Sequence, residues 1–197
     1  MIYSLNEIET LARKAARGAG LPWGIAEETG VAARWLAARQ LPVSLMTVLQ
    51  NRDMFASTTE MERAINESEF CASPLCPLMA GIFLCDRQPV CDGLIINNLA
   101  QPLWLAFFFS TSRNWTALRW SGTTLVVGRG QLYLSEQDQI SAAVADVTFS
   151  KEKPTGVPVS VANYGCEQDE KEWCALESLA ANCYVPASNE SRRGAGE

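Results

Sequence analysis

Histidine is absent from the 197 residues, and with it goes the usual general base, metal ligand and partner of a nucleophilic serine or cysteine. Any chemistry therefore falls to carboxylates, lysines, tyrosines, thiols or a bound cofactor. Charge is also sparse. Asp, Glu, Lys and Arg make up 19% of the chain, less than globular proteins usually carry, which favours extensive burial or an interface over disorder. The net charge of -6 argues against non-specific binding to nucleic acid. Long apolar runs are missing too: Leu103-Trp-Leu-Ala-Phe-Phe-Phe109 falls far short of the roughly 20 residues that span a bilayer. The opening Met1-Ile-Tyr-Ser-Leu-Asn-Glu7 has neither the basic region nor the apolar run of a secretion signal. These absences predict a soluble, cytoplasmic protein with no membrane partner. In that compartment the seven cysteines stay reduced and need no pairing scheme.

What is present reads as one domain over residues 1–185, long enough to bury a real core. A capping-box spacing, Ser4 to Glu7, starts the first helix. Leu5, Ile8, Leu11, Ala12, Ala15 and Ala19 recur along one helical face, and Gly18 and Gly20 supply the stop. Leu21-Pro22-Trp23-Gly24 makes the turn, and a second helix runs to about Arg39. Its Ala26, Gly30, Ala33 and Ala37 form a small-residue face that admits close approach of another helix, in this chain or in a second copy. Ser44 is placed to cap a third helix to about Asn51, and Thr59 to Glu69 is a fourth candidate.

After Pro74 the pattern shifts towards strands. Gly81–Cys85 and Gly93–Ile96 read as strands around the turn Arg87-Gln-Pro-Val90. Leu103–Phe109 suits a central strand covered on both faces. Thr123–Val127 and Gln131–Leu134 flank Gly128-Arg-Gly130 as a hairpin, and alternation predicts strands over 143–150 and 157–161. No strand–helix–strand rhythm appears, which disfavours a parallel nucleotide-binding sheet. The helical period returns over 168–183. The expected class is α+β: a helical hairpin and third helix within 1–70, a largely antiparallel sheet within 79–163, a closing helix over 168–183, and a flexible tail over 186–197.

Several stretches carry a family resemblance. They are Ser4-Leu-Asn-Glu-Ile-Glu9, Ala12-Arg-Lys-Ala-Ala-Arg-Gly-Ala-Gly20, Trp23-Gly24 with Ala26-Glu-Glu28, and Ala33 with Trp35-Leu36. Cys76-Pro77, Tyr184-Val-Pro-Ala-Ser188, Ser191-Arg192 and Gly194-Ala-Gly196 belong to the same set. The chain resembles a bacterial, mainly proteobacterial, domain-of-unknown-function family whose members are about its own length. The resemblance implies a stand-alone cytosolic protein and brings no activity, cofactor or catalytic residue with it.

Candidate sites follow from the chemistry that remains. Cys76, bracketed by Pro74 and Pro77, sits where Pro77 would open a short helix. A thiol at a helix start can have a lowered pKa and act as a nucleophile, against the plainer reading of cysteine as a small buried apolar residue. Asp86 and Asp92 flank the predicted turn, where a short cross-hairpin separation would raise one pKa; turn aspartates are otherwise solvated. The spacings Cys71-x4-Cys76, Cys85-x5-Cys91 and Cys166-x7-Cys174 match no zinc pattern, so no metal or other cofactor is expected. If 113–120 is a strand, Arg113, Trp115 and Arg119 share one face, a strip suited to a small anionic or planar ligand. Its plainer reading is an edge strand whose arginine stems cover the tryptophan. Arg192, in the tail, is placed to clamp over such a ligand. The opening helices have helix–turn–helix spacing, but paired Glu27 and Glu28 stand where a recognition helix would meet phosphates. The leading expectation is a non-catalytic accessory or ligand-binding protein. The rival is a small-molecule enzyme using Cys76 or the aspartate pair, and homo-oligomer formation through the small-residue face suits either.

Overall fold

The computed structural model describes residues 1–87, 92–135, 140 and 143–183. The chain opens with strand β1 (Ile2–Ser4), whose last residue caps α1 (Leu5–Gly18). The predicted capping box is complete. The Ser4 hydroxyl accepts from the Glu7 amide at 3.2 Å, and the Glu7 carboxylate accepts from the Ser4 amide at 2.8 Å. Helix α2 (Trp23–Ala37) follows and lies against α1. Its small-residue face is what permits the contact. A Cβ on Gly30 would stand 2.8 Å from the Glu9 carbonyl oxygen, and Ala26, Ala33 and Ala37 are fully buried beside it. That face is therefore occupied from within the chain.

Helix α3 (Leu45–Gln50) is present, but Ser44 does not cap it by its side chain. Ser44 has φ 43° and ψ 39°, in the left-handed region. The carboxylate of Glu172, far along the chain, accepts from the Met46 amide at 3.1 Å instead. Helix α4 (Thr58–Glu67) carries a second capping box, Ser57 with Glu60.

The expected strand at Gly81–Cys85 is instead part of helix α5 (Pro77–Asp86), with Pro77 in its first turn. The expected central strand at Leu103–Phe109 is likewise helical, a 3-10 turn (Pro102–Trp104) running into α6 (Leu105–Ser110). Both runs are apolar on nearly every side because they are buried, and a short apolar run has no period that tells helix from strand. The expected strand at 157–161 is also absent. One hydrogen bond, from the Val159 amide to the Leu132 carbonyl (2.7 Å), ties that segment to the sheet.

The remaining strands form an antiparallel sheet in the order β2 (Ile95–Ala100), β6 (Val144–Ser150), β3 (Thr116–Trp120), β4 (Thr123–Gly128), β5 (Gln131–Leu134). Two tight hairpins set the register. Ser121-Gly122 and Arg129-Gly130 all have positive φ, the geometry that suits the right-handed twist of paired strands. One sheet face presents Leu118, Leu125, Val127, Leu132, Val147 and Phe149 to the interior, all essentially buried. Phe149 meets Phe109 of α6 with ring centroids 5.6 Å apart. A separate ribbon pairs β1 with β7 (Gly165–Glu167), and α7 (Glu170–Ala181) then packs on α1. The fold is α+β, with a mostly antiparallel sheet and a C-terminal helix. Among the described residues no helix is long and apolar enough to cross a membrane. Arg192 and the expected tail lie outside the described residues, as does Cys91.

Candidate functional site

Beyond the last turn of α2, the chain places an arginine in an unusual setting. Trp35 and Arg39 are four residues apart, the spacing at which helical side chains meet. The Arg39 guanidinium lies over the Trp35 ring, 3.8 Å from its centroid. It donates to the Trp35 carbonyl at 3.1 Å and to the Gly130 carbonyl, at the tip of the β4–β5 hairpin, at 3.0 Å. Only 8% of the residue is exposed, and its buried Nε has no hydrogen-bond partner. No carboxylate among the described residues pairs with it. Burial alone draws its pKa down, yet arginine remains charged in proteins. The result is a cation held by carbonyl dipoles and an indole face, without a counter-ion among the described residues.

Arg39 lines a cleft of about 440 Å³. One wall comes from α2, with Val31, Arg34 and Trp35, and another from α1, with Leu5 and Glu9. The third is the segment Val161 to Asn163, pinned by hydrogen bonds from the Ala162 amide to the Ala38 carbonyl (2.6 Å) and from the Leu5 amide to the Tyr164 carbonyl (3.3 Å). Arg34 and Glu9 form an ion pair across α1 and α2 at 2.9 Å. The cleft thus joins a largely apolar lining to one ion-paired cation, Arg34, and to one cation, Arg39, with no carboxylate partner among the described residues.

The residues singled out from the sequence fall elsewhere, and they do not converge. Cys76 does precede a helix opened by Pro77, as expected, but it is buried. Burial pushes its thiol up, and the opposing hydrogen bonds from the Met79 and Leu78 amides do not offset this. Asp86 and Asp92 are not cross-hairpin partners, because Asp86 ends α5 while Asp92 accepts from the Lys151 amide at 2.8 Å.

The Arg113–Trp115–Arg119 strip is taken apart as well. Arg119 hydrogen-bonds Ser150 and pairs with Glu152. Arg113 precedes the strand and contributes its carbonyl, which accepts from Arg129 Nε at 2.9 Å. The cation over Trp115 is Arg129, 5.6 Å from the ring centroid, with Tyr133 edge-on at the same distance. Among the described residues no group of three or more metal-ligating side chains gathers. The sequence does display the Trp35–Arg39 spacing that builds the cleft. What it does not display is the Gly130 carbonyl that fixes the guanidinium from across the fold.

Residues 3–76 match the model of a family described as "Protein of unknown function (DUF3726)". The resemblance carried by the opening residues is therefore to a domain-of-unknown-function family, as expected. No curated protein and no solved structure matches the chain.

Proposed function

We propose that this chain is a non-catalytic, cytoplasmic protein that binds a small anionic ligand in the cleft walled by Arg39. The observation that carries the reading is a guanidinium 8% exposed, stacked on Trp35 and lacking a carboxylate partner among the described residues. An anion entering the cleft supplies the missing counter-charge where water screens the attraction poorly. It meets a cation already oriented, so little side-chain entropy is lost on binding. The catalytic alternative has less support, since burial keeps the Cys76 thiol protonated and Asp86 and Asp92 belong to different elements. The free cysteines among the described residues suit a reducing compartment.

Isothermal titration with sodium acetate, hexanoate and phosphate, against a sodium chloride control, tests the proposal. Saturable binding of at least one of these anions is expected, with loss in Arg39→Gln and retention of the native circular dichroism spectrum. Failure of all three to bind above the chloride control would count decisively against it.

A further inference from the structure

We infer that the ligand of this cleft is a monocarboxylate with an apolar body, an aliphatic or aromatic acid in preference to a phosphate. The inference rests on the anion-binding reading above and adds the ligand's class. Three charged groups face the cleft: Glu9, Arg34 and Arg39. Glu9 and Arg34 satisfy one another at 2.9 Å, so one positive charge is left over. A single negative charge balances it. A phosphate dianion would bring a surplus charge towards the Glu9 carboxylate, and like charges in such a setting repel.

Donor geometry admits a carboxylate, though by itself it would admit a phosphate equally. Arginine offers five N–H groups in a planar fork matched to a carboxylate. Two hydrogen bonds, to the Trp35 and Gly130 carbonyls, are already made, and the fork is fixed in plane by the indole beneath it. Apart from Asn163, the rest of the lining is apolar. Leu5 and Trp35 line the cleft, and so do Val31 and Val161, with 43% and 53% of their surface still exposed. A hydrocarbon body reaching past the carboxylate covers both valines, whereas a compact inorganic anion covers neither.

Isothermal titration of the full chain with acetate, hexanoate, inorganic phosphate and hexylamine separates the possibilities. Hexanoate is expected to bind at least about tenfold more tightly than acetate, because each buried methylene is worth roughly a factor of four. It should also exceed phosphate, and hexylamine should not bind. Val161→Glu, on an exposed position, should weaken hexanoate by about fivefold or more through charge repulsion, with an unchanged melting temperature. Phosphate binding as tightly as hexanoate would overturn the monocarboxylate class and leave the anion site standing. No anion binding at all would remove the site itself. Equal binding of hexylamine, or a Val161→Glu variant with unaltered hexanoate affinity, would refute the assignment to this cleft.

Discussion

At Cys76 two effects pull in opposite directions. The amides of Leu78 and Met79, at the start of α5, favour a thiolate, while burial disfavours it more strongly, so the pKa rises. The sign for stability follows. A thiol kept neutral in the fold contributes stability that is complete below the unfolded thiol's pKa, near 8.5. That contribution is lost as pH rises from there through the higher folded value. Thiol titration of the native protein at neutral pH should accordingly modify exposed Cys174 quickly and spare Cys76 until the protein unfolds. Cys76→Ala should lose less stability than the parent between neutral and alkaline pH in urea unfolding. Prompt modification of Cys76 in the native state would reverse this reading. The sequence showed Pro77 opening a helix beside this thiol and gave burial as its plainer reading, but not which residues, distant in the chain, cover it. Arg129 is a similar case: its approach to Trp115 requires the hairpin and the strand to be folded together.

Elements with a clean period were legible, and those apolar on nearly every side were not. The cap and stripe of α1 and the alternation of β6 state their faces in the sequence, because water on one side imposes a pattern. Helices α5 and α6 state no such side, because even the half-exposed face of α5 carries Met79, Ile82 and Phe83. The close approach of α1 and α7 was equally invisible, since it depends on what Gly18 lacks. A Cβ at Gly18 would press into the Leu179 backbone, 2.8 Å from its carbonyl carbon and closer still to its oxygen. Backbone cannot rotate away as a side chain can. Gly18→Ala gains up to about 1 kcal/mol of helix propensity, yet it should destabilise the protein by about 1–3 kcal/mol through overpacking. The midpoint of urea unfolding checks this, and a stabilised variant would show that α7 shifts at no cost.

Across the whole molecule, the residues matched to a family model end at position 76, and the packing does not. Tyr3 stacks on Trp173 with ring centroids 3.5 Å apart. Met46 is held by Glu172, Gly18 lies against Leu179, and Leu75 pairs with Leu99. The helices of residues 1–76 thus share one buried cluster with the sheet and with α7. A fragment of residues 1–76 should lack a cooperative unfolding transition, because separation would expose apolar surface that these contacts cover. A sharp thermal transition with well-dispersed amide resonances would contradict that expectation.

The bond from Arg39 to the Gly130 carbonyl has a mechanical meaning. It moors the tip of a β-turn to the rim of a helix-lined hollow, so neither can drift without dragging the other. A guest that tugs on the guanidinium would be felt at that distant loop, and a change at the loop would be felt by the guest.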